Sequence, residues 1–183
     1  IRLSLVGSEM CIETAATPEH SYSQEEILDL LNIEDRRVRS LFLNSAISRR
    51  HLILPPVQRD GSRHTETQGE LLQKHRINSV DVGARAIHAC LENTGAKISD
   101  VDYLCCVTTT GFLSPGISAF MIRELGLSNS CGRLDVVGMG CNAGLNALNA
   151  TAGWAIANRG KLAVMLCVDV SYTHLRAHET KAN

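Results

Sequence analysis

No apolar run in these 183 residues approaches the roughly 20 that a membrane-spanning helix needs. The stretch Leu3 to Val6 is too short for the apolar segment of a secretory signal. Neither charge is in excess. Eighteen basic side chains face 19 acidic ones, a formal net charge of −1, which argues against a nucleic-acid binder that relies on a basic face. There is no low-complexity segment, and no repeat at a period of roughly 20–50 residues that would signal a solenoid. The seven cysteines are odd in number and their spacing shows no disulfide framework, so a reducing cytoplasm is expected. No GxxxxGK[ST] phosphate loop occurs. Gly138-x-Gly140 is not a dinucleotide fingerprint, because Ala143 stands where the third glycine would be.

What remains is the composition of a globular chain with room for one domain: 44% apolar, 20% charged, 19.9 kDa. Both ends look foreign to it. Val170 to Thr180 reads VSYTHLRAHET, a translation of a common transposase-tagging sequencing adapter, and Leu5 to Ile12 reads LVGSEMCI, a translation of its reverse complement. Residues 1–14 and 170–183 are therefore expected to be adapter read-through, with 15–169 a partial domain. Cys11, His174 and His178 are expected to carry no function.

Along the insert, Ser23 and Glu26 form a capping box ahead of Ile27, Leu28, Leu30 and Leu31, which predicts a helix. A second short helix is expected from Glu34 to about Asn44, with Val38, Leu41 and Phe42 inward and Arg36, Arg37 and Arg39 outward. Val57 to Thr67 reads as an exposed loop. A long helix fits Gln68 to Thr94, with Val80, Ala84, Ile87 and Leu91 at helical spacing and Gly95 as its stop. Strands are expected in Asp100 to Thr109, Arg133 to Val137 and Leu162 to Val168, and helices from Pro115-Gly116 to Leu125 and from Asn142 to Asn158. This alternation implies βαβ units and a parallel sheet. The helix from Asn142 carries no charge before Arg159, so it is expected to be buried all round, between this sheet and a second one outside the chain.

Cys141 stands out. It lies in VVGMGCNAG, where a strand turns into a helix, and Gly138 and Gly140 permit a tight turn and a close substrate. A thiolate there would face the positive end of the helix, and its own amide could donate to an oxyanion, the arrangement of an activated nucleophile. Cys90, Cys105, Cys106, Cys131 and Cys167 read as small buried hydrophobes. Cys105 and Cys106 are strand neighbours on opposite faces and cannot share a metal ion. Thr108, Thr109, Thr110 and Gly111 end a strand at the edge that carries Cys141, where ligands of such sheets bind, although threonines there can also satisfy turn amides. Arg36, Arg37, Arg39, Arg49 and Arg50 suit either coenzyme phosphates or a solvated helix face. Asn142, Asn146 and Asn149 share one side of the last helix and read as a structural network.

At VGMGCNAGLNAL the chain resembles the thiolase-like superfamily, and within it the bacterial type III polyketide synthases. The matching stretches are SYSQEEILDLLNIED, RSLFLNSAISRRHLILPP, QGELLQKH, DYLCCVTTTGFLSPG, IREL and VVGMGCNAGLNALNATAGW, in order from Ser21 to about Val168. The resemblance implies an α/β thiolase-like layered fold (αβαβα), cut to most of its N-terminal half. It implies Cys141 as the nucleophile that accepts a malonyl unit, Thr109, Thr110 and Gly140 as substrate-binding positions, and Arg37 as a coenzyme A contact. Ser40 and Asn44 stand where plant-type enzymes carry basic residues, and Asn142 where they carry an aromatic, which favours the malonyl-only bacterial branch.

The implied reaction is decarboxylative Claisen condensation of four malonyl-CoA units to 3,5-dihydroxyphenylacetyl-CoA, for antibiotic biosynthesis. Implied too are a homodimer in the cytoplasm, malonyl-CoA as substrate and no metal or redox cofactor. The family's polarising His and Asn belong to its C-terminal half. Neither His75 nor His88 matches that histidine, so the 183-residue chain alone is expected to be inactive. A ketoacyl-carrier-protein synthase of the III type shares the fold and the cysteine turn but would need an acyl-CoA starter and a carrier protein. A non-catalytic thiolase-like scaffold is a second rival. A cysteine hydrolase is a third, and Met139 and Ala143 stand where its elbow wants glycine.

Overall fold

The computed structural model describes residues 2–5, 8–11, 16–59 and 63–168. The C-terminal stretch expected to be adapter lies outside the described residues, His174 and His178 included. Of the N-terminal stretch, the backbone forms a hairpin of β1 (Arg2–Leu5) and β2 (Ser8–Cys11), with Arg2 opposite Cys11. The rest divides into two compact units, residues 17–65 and residues 66–168.

In the first unit, β3 (Ser21–Ser23) pairs antiparallel with β4 (Arg49–His51). The expected capping box starts α1 (Gln24–Leu30): the Ser23 hydroxyl accepts the Glu26 amide at 3.1 Å, and the Glu26 carboxylate accepts the Ser23 amide at 2.6 Å. Those hydrogen bonds hold the Glu26 carboxyl below its ordinary range. Asp35 caps α2 (Arg36–Leu43), accepting the Arg37 and Val38 amides. Leu41 was expected inward and is 73% exposed. The inward arc is instead Val38, Arg39 and Phe42, because the Arg39 guanidinium folds back to donate to the Ile33 carbonyl at 3.0 Å and to Asp29 at 3.4 Å. That rotates Leu41 to solvent.

In the second unit, α3 (Gln68–Thr94) has the predicted limits. It opens on a second capping box, Thr67 with Glu70, and stops at Gly95 with φ of 73°. The sheet is parallel in the order β6-β5-β7, with β5 (Val101–Thr108) central between β6 (Gly132–Val137) and β7 (Leu162–Cys167). The crossovers are α4 (Ile117–Leu125) and α5 (Ala143–Ala157). One face of the sheet packs Leu104, Cys106, Val164 and Leu166 against Ile87 and Leu91 of α3 and Met121 and Leu125 of α4. The other packs Cys105 and Val107 against Ala143 and Ala147 of α5. Helix, sheet and helix thus form three layers, and the two adjacent cysteines enter opposite sides of the sheet.

One expectation is corrected here, the burial of Cys90 and Cys167. Helix α5 is buried along one face, and the second sheet that would cover its other face is expected outside the chain. Only Ala143, Ala147 and Thr151, spaced four apart, are buried, while Leu145 and Ile156 are 69% and 49% exposed. One face of α5 rests on the sheet, with Trp154 stacked on Tyr103 at 4.6 Å between ring centroids, and no described residue covers the other. Cys167 is exposed and Cys90 half-buried, because Cys167 ends its strand at the sheet edge and Cys90 sits off the α3 stripe that meets the sheet.

Candidate active site

All three strands deliver their carboxyl ends to one edge. Thr108 lies opposite Val137, and Val107 opposite Cys167, so the residues after each strand gather there. After β6 the chain turns through Gly138 with φ of 73° and Gly140 with φ of 58°, both in the region that disfavours side chains. A 3-10 turn, Gly140–Asn142, then carries Cys141, and α5 follows at once. A Cβ on Gly140 would meet nothing within 4 Å, so that glycine answers to its dihedral alone. At Gly138 a Cβ would also come within 3.2 Å of the Phe112 ring.

Cys141 is exposed at this strand-to-helix turn. Thr109 and Thr110 follow β5 directly; Thr109 is exposed and Thr110 half-buried. Thr109 and Thr110 thus follow the carboxyl end of β5, and Gly140 and Cys141 follow that of its neighbour β6. Arg37 belongs to the other unit, exposed in the first turn of α2. Of the asparagines, Asn146 donates its side-chain amide to the Asn142 carbonyl at 2.9 Å. Asn142, Asn146 and Asn149 are all exposed, so the buried network expected of them is not formed: the face of α5 that carries them is turned away from the sheet. Phe112, Met139 and Leu145, 72%, 51% and 69% exposed, give the edge around Cys141 an apolar rim. A Cβ on Gly144 would lie 3.9 Å from the Cys167 sulfur, which puts a second exposed thiol beside the start of α5.

The loop bearing the threonines is braced from beneath by two side chains, Asp135 and His75, to which the sequence assigns no role. Asp135 of β6 accepts the Ser118 amide at 2.9 Å and the Ser118 hydroxyl in a shorter bond. It thereby caps α4, whose own N-cap is Gly116 with no side chain to offer. At the other end of the loop, His75 of α3 is 1% exposed and lies under Thr108 and Gly111. A signal for it existed. The buried stripe of α3 runs His75, Ser79, Gly83, Ile87, Leu91 in steps of four, and extending the Ile87–Leu91 spacing toward the N-terminus reaches the histidine.

Among the described residues, no group of three or more His, Cys, Asp or Glu side chains is placed to hold a metal ion, and no helix is long and apolar enough to cross a membrane.

Residues 7–182 match the chalcone and stilbene synthase N-terminal domain family. The chain is 58% identical over 158 residues to a 3,5-dihydroxyphenylacetyl-CoA synthase of Streptomyces toyocaensis, covering 86% of this chain and 40% of that protein. It is 59% identical over 152 residues to the protein of the same name from Amycolatopsis balhimycina, covering 83% and 41%. Among solved structures, the C-terminal type III polyketide synthase domain of a type I/III hybrid from Dictyostelium superposes with a TM-score of 0.74 at 27% identity, over 86% of this chain and 46% of that one. The chain spans about 40% of the length of the curated relatives it matches.

Proposed function

The chain belongs to the chalcone and stilbene synthase family, and from that premise we propose that it is part of a type III polyketide synthase that condenses malonyl-CoA to 3,5-dihydroxyphenylacetyl-CoA. The observation that carries this reading is the exposed Cys141, set in a turn of two positive-φ positions at the carboxyl edge of a parallel sheet.

The geometry suits acyl transfer. The Cys141 sulfur attacks the thioester carbonyl of malonyl-CoA, a new carbon–sulfur bond forms, and coenzyme A leaves as its thiol with the displaced proton. Gly140, at φ of 58°, lets the chain make the turn that leaves Cys141 exposed. In this reading Thr109 and Thr110 line one wall, and the exposed Phe112, Met139 and Leu145 make the mouth apolar. A second malonyl-CoA loses carbon dioxide, and the resulting enolate carbon attacks the Cys141 thioester. Three such extensions, with the starter's own carboxylate also lost as carbon dioxide, give a C8 chain, which cyclises and loses water. Enolate stabilisation falls to a His and an Asn that no residue of this chain matches, so the chain alone does not turn over. Arg37 meets the coenzyme phosphates, and the working protein is a cytoplasmic homodimer. Residues 1–14 and 170–183 are adapter-derived, which amplification and resequencing of the source DNA across both boundaries tests.

The enzymatic test uses the full reading frame with malonyl-CoA alone and identifies products by mass spectrometry. A 3,5-dihydroxyphenylacetyl thioester or acid, lost in Cys141→Ala, is the expected result. No product until another acyl-CoA or a carrier protein is added would move the enzyme to a different condensing class.

A further inference from the structure

We propose that His75 is a positioning residue for the Thr109–Thr110 wall, acting through Thr108 and through the bare Cα of Gly111. This rests on reading that edge as the site of thioester condensation.

The imidazole is buried in α3, and the sheet edge is built around it. Its Nδ1 lies 3.2 Å from the Ser79 hydroxyl one helical turn on. Its Nε2 lies 3.4 Å from the Thr108 hydroxyl, which ends β5. That hydroxyl accepts the Thr110 amide at 3.4 Å and lies 3.5 Å from the Thr110 hydroxyl. Packing fixes the same loop independently. A Cβ at position 111 would come 2.8 Å from Nε2 and 2.9 Å from Cγ, so the ring fills the space a side chain there would need. Glycine is required at 111 because His75 is beneath it.

The line Ser79, His75, Thr108, Thr110 has directional consequences. Each member can donate or accept, but a neutral imidazole carries only one N–H. If Nε2 donates, Thr108 passes its proton toward Thr110; if Nδ1 donates, Thr108 turns its proton to Nε2. The ring therefore sets which way the Thr108 proton points, and with it whether Thr110 meets a donor or an acceptor beneath it. A thioester carbonyl needs donors, so this orientation bears on chemistry and not only on packing.

Three variants in the full reading frame separate the roles. In His75→Gln the side-chain amide reaches the place of Nε2. In His75→Asn it reaches only the place of Nδ1, and in His75→Leu neither is kept. Amide hydrogen exchange of the peptide spanning 108–113 reads the loop without reference to any substrate. We expect exchange about tenfold faster in the Asn and Leu variants and within about threefold of wild type in Gln. With malonyl-CoA, kcat should fall about tenfold in Asn and Leu with KM within about twofold, and Gln should recover most of it. Gly111→Ala, which pushes the ring from the other side, should reproduce the Leu signature should His75→Leu not fold.

Wild-type exchange and kcat in His75→Leu, or in Gly111→Ala, would overturn the proposal. So would equal losses in Gln, Asn and Leu, which mark lost packing alone. A wild type that does not condense malonyl-CoA would sink the reaction reading, and the exchange pattern would still decide the positioning role.

Discussion

The thiols of this chain sort by where the sheet puts them. Cys105 and Cys106 are fully covered on opposite faces, and burial pushes both thiols up, Cys106 most strongly, with nearby Asp135 adding to it. Cys141 and Cys167 reach the open edge. In the native protein, iodoacetamide should label Cys141 and Cys167 and spare Cys105 and Cys106 until denaturant is added, which peptide mapping reads directly. A pH dependence follows from the raised thiols. The unfolded chain ionises them near the ordinary value of about 8.5, while the folded chain keeps them protonated. Their contribution is therefore complete below that pH and is lost as pH rises, at up to about 1.4 kcal/mol per pH unit for each thiol. Cys106→Ala should flatten that alkaline slope in urea melts at pH 8 to 10. At this scale Cys141 was legible in the sequence because glycines flank it. Cys167 was not, because its six-residue strand looks the same whether its last residue is covered or bare. The role of His75 was not legible, because a histidine in a polar run carries no mark of burial until the helix stripe is traced.

Caps and turns govern the elements, and most were readable. The Ser23 box, the Gly95 and Gly126 stops and the Gly138–Gly140 turn all lie where local chemistry places them. The cap of α4 was not readable, because Asp135 supplies it from a strand 17 residues away. Asp135→Ala should cost about 2 kcal/mol by leaving the buried Ser118 amide and hydroxyl without their acceptor, and Asp135→Asn less, by thermal unfolding. The turn gives a second element-scale prediction. Gly140→Ala should cost about 1–2 kcal/mol for its positive φ alone, and Gly140→Asn less, since asparagine tolerates that region. Gly138→Ala should cost more than Gly140→Ala, because Phe112 must also move. The α2 face was misjudged for a physical reason: apolarity drew Leu41 inward on paper, whereas the Arg39 guanidinium finds an acceptor in the Ile33 carbonyl and turns the helix.

For the whole molecule, the hydrophobic pattern showed that α5 is apolar all round but could not show what lies on each side. The sheet covers one face, and Leu145 and Ile156 stand exposed on the other. Such a patch is unstable in water by itself. The 183-residue chain alone should therefore associate at micromolar concentration, and Ile156→Lys should lower its light scattering. The same chain should show no turnover of malonyl-CoA, in keeping with its span of about 40% of its relatives. The central claim is narrower than either prediction: Cys141 carries the growing acyl chain. The most direct measurement exposes the full-length enzyme to malonyl-CoA, quenches in acid and maps acyl adducts by peptide mass spectrometry. The account predicts a hydroxylamine-labile adduct on the peptide containing Cys141 and its loss, with at least about a thousandfold loss of turnover, in Cys141→Ala. An adduct on Cys167 instead, or undiminished product from Cys141→Ala, would contradict it.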